Sequence, residues 1–521
     1  MISNPLLFLP FAAALTAPGK VKANLKREWI ILAALVALAA VLRFAGLGKQ
    51  PLWLDEASTA EFAARPLYDC IFADTQHPPL FDVLLHFSIR VFGASDAALR
   101  IPSAIFGVLL VPVVWVLARR FASHSLFLRS ASAALTAASP FLIYLSQEAR
   151  SYSLFILLSA CATLAFLRLM PPVAATEAAE PAPVFFNGAL AFYAALSAAL
   201  IYTHYFGALV LLAHELIYWK TSRRRVAAWL TARAAVAAVF LPWAVWLLRQ
   251  PQYIEARQWL GSPWLRTPYA WFRFLDGFGI APPNLSRLAD PPVKILREEG
   301  LAVLLTLAPL VWLLACGLRR AWREPPLRSW IIALLIGPYL PLLALSPWLR
   351  LVHERYLAFQ APFFMLLIAA GLTTLRGMGL RSFTAVACTL SITFSLWAYY
   401  AAPGRALGYP LRYGKEDWPT AAAWVAAEKP QAVVLAPAYL QFAFARYWKP
   451  GPGLPATFVL PDDAGHLPNL AAARRVAIVL SHDGPAEESL RQEIAAGRAL
   501  AGQHFFPQQT GIRVFVYDAP H

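Results

Sequence analysis

The sequence predicts an all-α polytopic membrane protein with a small α/β domain at its C-terminal end. Three observations predict this. Of 521 residues, 59% are apolar and only 14% are charged, against about 45–50% apolar in soluble domains. Eleven apolar stretches, each about 14–23 residues long, follow one another up to residue 402; at that length they read as bilayer spans. Beyond 402 the long apolar runs stop, and charged helical stretches alternate with short β-rich ones.

Residues 1–28 read as a cytoplasmic lead-in. "MISNPLLFLPFAAALTAPG" is apolar but short, and its basic residues follow it, the wrong order for a cleaved signal peptide. The apolar stretches of the membrane part, 29–402, start at about residues 29, 101, 131, 152, 185, 206, 226, 300, 330, 356 and 382. Backbone amides find no water partner in hydrocarbon, so these stretches should be helices. The clusters Lys20/Lys22/Lys26/Arg27, Arg119/Arg120/Arg129, Lys220/Arg223/Arg224/Arg225, Arg319/Arg320/Arg323 and Arg376/Arg381 fall in alternate loops, which belong on the cytoplasmic side. The loop 171–184 shares that side but carries no Lys or Arg. An odd number of spans then puts the N-terminus inside and the C-terminal domain outside.

Three segments fall on the outer face: a first loop, 49–100; a second, 249–299, rich in Arg, Trp and Pro; and the tail, 403–521. Within the first loop, "HPPLFDVLLHFSIRVFG" predicts an amphipathic helix with Pro78 and Pro79 in its first turn,. Leu80, Leu84, Phe87 and Val91 share one face, so the helix should lie along the interface. In the tail, "DWPTAAAWVAAEK" and "AEESLRQEIAAG" read as helices, and "QAVVLAP", "RRVAIVLSH" and "IRVFVYD" as strands,.

The formal net charge is +16, with 45 Lys+Arg against 29 Asp+Glu. The excess sits between apolar runs, where topology signals sit, and no nucleic-acid motif accompanies it. Three of the four cysteines lie inside apolar runs and no CxxC occurs. No HxH, HExxH or DxD pattern points to a dedicated metal site, and no cofactor is implied. Asp462-Asp463, in "PDDAG", reads as a solvated turn.

"PLWLDEAST" places Asp55 and Glu56 just beyond the first span. The pair is either a solvated loop start, with Trp53 as an interfacial anchor, or the working end of a membrane enzyme. "SQEARSYS" (146–153) and "HERYL" (353–357) fall on the same predicted face. Charged groups converging near hydrocarbon depth are costly and usually functional. They suggest group transfer from a phosphate-bearing lipid. A carboxylate that accepts a proton from an attacking hydroxyl is worth about 10²–10⁴ in rate, and Asp55 fits that base. Arginine forks match phosphate oxygens, so Arg150 and Arg355 fit a phosphate clamp, with His77, Tyr152 and Tyr356 as further donors. Glu56 either touches substrate or hydrogen-bonds the loop backbone. Glu148 either joins the site or pairs with Arg150. His204, in "YTHYFG", lines the site or the aromatic belt. His214 and Glu215 read as a packed polar pair.

"LWLDEAST", "HPPLFDVLLH", "RIPSAIFGVLLVPVVWVLARR", "YLSQEARSYSL" and "ERYLAFQAPFFMLLIAAG" follow one another in an order that resembles bacterial integral-membrane glycosyltransferases of the GT-C superfamily. The similar branch contains protein O-mannosyltransferases, lipid A aminoarabinose transferases and rhizobial lipopolysaccharide sugar transferases. The resemblance covers roughly residues 25–400. It implies a GT-C fold in a bacterial inner membrane, a polyprenyl-phosphate sugar donor, and inversion at the anomeric carbon. The acceptor is then a lipid, a glycan or a protein. It maps the family's proposed base onto Asp55 and a second carboxylate onto Glu148. Where aminoarabinose transferases often show Lys-Pro-Pro, this chain has His77-Pro78-Pro79; mannosyltransferases keep His-Pro-Pro but differ in other loop signatures. The other class of function is a transporter or flippase that moves such a lipid without chemistry. It calls for ionisable residues at mid-membrane depth in paired broken helices, whereas these charges gather at one face.

Overall fold

The computed structural model describes residues 19–121, 125–170, 188–221, 226–250, 263–276, 292–348, 351–400, 405–406, 409–410, 414–461, 466–468, 470–482, 484–508 and 511–520. The lead-in before residue 19, the loop 171–184, much of the second outer loop (251–262 and 277–291) and the Asp462-Asp463 turn lie outside the described residues.

Each predicted apolar stretch coincides with a helix. The first, α1 (Gly19–Phe44), starts ten residues earlier than expected, so the basic cluster at 20–27 forms its first turns. The first loop folds into α2 (Leu54–Ala64), α3 (Leu67–Phe72) and α4 (Leu80–Phe92). Then follow α5 (Asp96–Phe121), α6 (Leu126–Ala138), α7 (Pro140–Ser146), α8 (Tyr152–Leu169), α9 (Gly188–Thr203), α10 (Gly207–Thr221) and α11 (Val226–Leu248). In the second loop lies α12 (Pro263–Asp276). After α13 (Pro292–Arg323), α14 (Pro325–Ile331) runs through a π-helical turn into α15 (Tyr339–Ala344). The bundle closes with α16 (Ala361–Thr374) and α17 (Met378–Tyr400). Among the described residues, α5, α8, α11, α14–α15 and α17 are each long and apolar enough to cross a membrane, and the bent pair α6–α7 makes a sixth. The protein is thus a multi-pass membrane protein, though length and composition do not count eleven spans.

Two features aim the bundle at one end. Ser139 and Pro140 break the third apolar stretch, and α6 and α7 meet at 53°. Pro140 suits a first helical turn, and the Ser139 hydroxyl accepts from the Leu142 amide to cap α7,. The carbonyls orphaned at the end of α6 accept from buried Arg43 of α1, at 3.0 Å (Thr136) and 2.8 Å (Ala137),. The bend delivers 147–151, carrying Glu148 and Arg150, to the end of the bundle that meets the first loop. Elsewhere α13 and α16 touch backbone to backbone. A Cβ on Gly317 would strike the Leu367 carbonyl, and one on Gly371 the Leu313 carbonyl, the close approach that small residues permit between membrane helices.

The tail contains the expected helices and strands. They are α18 (Trp418–Ala427), β3 (Ala432–Ala436), β4 (Arg475–Leu480), α20 (Pro485–Ala495) and β6 (Ile512–Asp518); α19 (Gln441–Tyr447) and β5 (Ala499–Phe506) are additions. A two-strand hairpin, β1 (Arg405–Ala406) and β2 (Tyr409–Pro410), precedes them. The sheet runs β3-β4-β6-β5, with β3 parallel to β4 and the other pairs antiparallel. Its core continues into the membrane part: Leu52, Leu54, Ala57, Phe81 and Leu85 bury against Trp418, Val425, Phe444 and Val514 in one cluster.

Candidate active site

The structure brings all nine candidate residues into one connected cluster. Asp55 and Glu56 occupy the first turn of α2, where acidic side chains suit the helix dipole,. One residue apart on a helix is about 100° of rotation, so the two carboxylates face different surroundings. The Glu56 carboxylate is fully buried. It accepts from Arg100 Nε and Nη2, both at 2.7 Å, from Lys415 Nζ at 2.7 Å and from the Ala149 amide at 2.8 Å. Burial alone would raise its pKa, but Arg100 and Lys415 hold it down at about 2,. Asp55 is partly exposed. No hydrogen bond to its side-chain oxygens is made among the described residues; only its backbone carbonyl accepts, from Ser58 Oγ and from Arg150 Nη1.

Arg150 is buried and spans from α2 to the segment before α4. Its Nη1 donates to Thr59 Oγ1 at 2.5 Å, and its Nη2 to His77 Nε2 at 3.1 Å. The other ring nitrogen of His77 lies 3.0 Å from Asp74 Oδ2. With Nε2 accepting from an arginine, Nδ1 carries the proton and donates to Asp74. Asp74 is itself fixed by the Gln76 and His77 amides. A second buried carboxylate, Asp82, stands near it. Burial raises the Asp74 pKa, but His77 and Arg150 lower it below the ordinary value, whereas burial and the Asp74 charge raise Asp82 well above it.

The remaining candidates wrap the other side. Glu148 pairs with Arg355 at 3.3 Å, not with Arg150 as its sequence neighbourhood suggested. Residue 150 is drawn away by Thr59 and His77, while the turn at 353–357 brings 355 across. Arg355 Nη2 also donates to Tyr144 OH at 2.9 Å, and its guanidinium lies 4.5 Å from the Trp53 ring centroid and 5.6 Å from that of Tyr152,. Trp53, expected as an interfacial anchor, is 6% exposed. His204 stacks on Phe155 at 4.6 Å and neighbours His77, Tyr152 and Tyr356 at 6.1, 6.0 and 5.6 Å. Three buried polar atoms here, Glu148 Oε2, Arg150 Nε and Trp53 Nε1, have no hydrogen-bond partner among the described residues.

Sequence reasoning missed Asp74, Thr59, Asp82, Tyr144, Arg100 and Lys415. The Asp-x-x-His spacing of Asp74 and His77 was a readable signal. Lys415 was not readable, because it lies 359 residues from Glu56 in the chain. His214 and Glu215 lie apart from this cluster. His214 meets Tyr193 OH and Thr163 Oγ1, and Glu215 meets Trp229 Nε1 and Arg233. Among the described residues no three His, Cys, Asp or Glu side chains converge as a metal site would require.

Residues 76–246 match a family model described as dolichyl-phosphate-mannose-protein mannosyltransferase. No curated protein sequence matches the chain. Two crystal structures of ArnT from Cupriavidus metallidurans, one bound to undecaprenyl phosphate and one apo, are similar to it, with TM-scores of 0.53 and 0.55 at 16% and 15% identity; each alignment covers 94% of this chain and 98% of that one. The Archaeoglobus fulgidus oligosaccharyltransferase, in complex with Zn and sulfate, aligns with a TM-score of 0.51 at 14% identity, over 94% of this chain and 73% of that one. The bent α6–α7 pair, the helical first loop and the α/β tail thus belong to a molecule with the fold of the GT-C glycosyltransferases, as the sequence resemblance implied.

Proposed function

We propose that the chain is a glycosyltransferase that moves a hexose or pentose from a polyprenyl-phosphate donor to an extracytoplasmic acceptor hydroxyl, on a glycolipid, a polysaccharide or a protein. The observation that carries this reading is Asp55: a partly exposed carboxylate, free of side-chain hydrogen bonds among the described residues, whose backbone carbonyl accepts from buried Arg150. The family model and the undecaprenyl phosphate bound to ArnT support the choice of donor.

In this reading the acceptor oxygen attacks the anomeric carbon from the face opposite the phosphate. Its proton passes to the Asp55 carboxylate. The bond from the anomeric carbon to the phosphate oxygen breaks, its electron pair leaves with the polyprenyl phosphate, and the configuration inverts. Arg150 and Arg355 compensate the charge on the departing phosphate; removing one such group costs about 3–4 kcal/mol in the transition state. His77 and Glu148 orient those arginines, and Tyr152, His204 and Tyr356 form an aromatic wall beside them. A buried polar atom without a partner costs about 1–3 kcal/mol, and substrate groups satisfy the three in this cluster. The lipid chain stays in the bilayer, where each methylene contributes about 0.8 kcal/mol.

The test is product formation. Purified protein is incubated with polyprenyl-phosphate sugars and acceptor extracts, and the extracted lipids and glycans are analysed by mass spectrometry. Asp55→Asn keeps the shape but takes no proton, so transfer should fall by at least about 100-fold with donor binding retained. Normal turnover of that variant, with Glu148→Gln inactive, would move the base to Glu148.

A further inference from the structure

We infer that the C-terminal domain is a working part of the catalytic centre: Glu416 and Tyr447, with Lys415, hold the backbone that presents Asp55. This rests on the function proposed above. The entry to α2 has three successive amide donors with no helical partner, at residues 52–54. The Leu52 amide donates to Tyr447 OH at 2.7 Å, the Trp53 amide to Glu56 Oε2 at 3.4 Å, and the Leu54 amide to Glu416 Oε2 at 3.3 Å. Two of these three acceptors therefore come from the tail.

Both are themselves fixed. Tyr447 OH donates to Asp96 Oδ2 at 2.7 Å, and Arg446 beside it donates to Asp96 Oδ1 at 2.7 Å. Glu416 is fully buried, accepts from Trp418 Nε1 at 2.8 Å and meets His482 Nε2 at 2.5 Å. Lys415 reaches inward to Glu56, which also holds Ala149, the residue between Glu148 and Arg150. One tail segment thus fixes the helix of the proposed base and, through Glu56, the segment that carries the phosphate contacts. These three are positioning residues. A displacement of about 1 Å in such a frame can cost 100-fold in rate.

Tyr447→Phe and Glu416→Gln keep shape and packing while removing a hydroxyl and a charge. Each should lower kcat at least about tenfold, leave donor KM and Kd within about twofold, and speed amide exchange at residues 52–57 while exchange across α5 and α8 is unchanged. Arg475→Gln, which breaks a half-exposed tail ion pair with Asp518 remote from this contact, is the control and should leave all of these unchanged. Wild-type kcat in both variants overturns the inference. So does a loss of kcat accompanied by equal exchange increases throughout the protein, which marks general destabilisation. A wild-type chain that transfers no sugar from any polyprenyl-phosphate donor overturns the functional reading and this inference with it; an active wild type with indifferent variants overturns this inference alone.

Discussion

Glu56 has Arg100 on one side and Lys415 on the other, with every one of these groups buried. Taking the carboxylate away leaves two cations facing each other in low dielectric, and breaking a buried pair costs about 3–5 kcal/mol. Glu56→Gln should therefore lower the thermal midpoint sharply, measured in detergent or nanodiscs. The pH dependence follows from the same contact. The folded pKa of about 2 lies below the usual carboxylate value near 4.5, so on acidification the unfolded chain takes up the proton first. The stability contributed is fully present above about 4.5 and is lost as pH falls towards 2; subtracting the Glu56→Gln titration from the wild-type one isolates it. Arg150 and Arg355 make a second prediction. Each uses its planar fork between partners of different geometry, and a lysine supplies only a point charge. Arg150→Lys and Arg355→Lys should each lose at least about tenfold in transfer rate, read in the mass-spectrometric assay; full activity in both would reduce these arginines to structural roles. At this scale the sequence displayed the acidic pair but not its division of labour. Adjacent helical positions look alike in a string, and only partners 44, 93 and 359 residues away decide which one is enclosed.

The helix α4 shows what periodicity can and cannot reveal. Of its predicted apolar face, Leu84, Phe87 and Val91 are exposed together, at 38%, 51% and 74%, whereas Leu80 is half-buried against the core cluster. Exposed apolar side chains on a helix beside the bundle end fit a position along the membrane interface. A fluorophore attached at residue 87 should be quenched by headgroup-level lipid quenchers but not by water-soluble ones; the reverse pattern would detach α4 from the membrane. The opposite face carries buried Phe81, Asp82, Leu85 and His86. That face mixes polar with apolar residues, so no pattern announced it; His86 is accommodated because its Nδ1 meets the Ala63 carbonyl at 2.8 Å. The two proline residues also shift by one turn position, since Pro79 caps the helix instead of entering it. In the tail, β4 and β6 were legible because their runs of β-branched residues are buried in the sheet. Edge strand β5 was not, because seven of its eight residues keep exposed or half-exposed side chains and present no apolar alternation to read.

At the scale of the whole molecule, long-range contacts gather the basic loops at one end. Glu28 pairs with Arg129 at 2.8 Å, Thr221 at the end of α10 lies 3.9 Å from Met170 after α8, and Arg320 of α13 donates to Thr373 near the end of α16. The first loop, the candidate site and the tail occupy the other end, where Lys415 meets Glu56 and Arg446 meets Asp96. Because basic loops are retained on the cytoplasmic side, we propose the orientation that puts the N-terminus inside and Asp55 with the α/β tail outside. Alternate loops carry the signal, so the prediction depends on every span being made. A reporter active only outside the cell membrane, fused after residue 402, should be active, and the same reporter fused after residue 221 or 323 should be silent. Activity reversed at these three points would place Asp55 on the side of the cytoplasm and remove its access to an extracytoplasmic acceptor. Activity at 402 together with activity at 323 would instead show that α14–α15, α16 and α17 do not make an odd number of crossings. The helix that decides this comparison is α16, which is only 14 residues long and touches α13 backbone to backbone at Gly317 and Gly371.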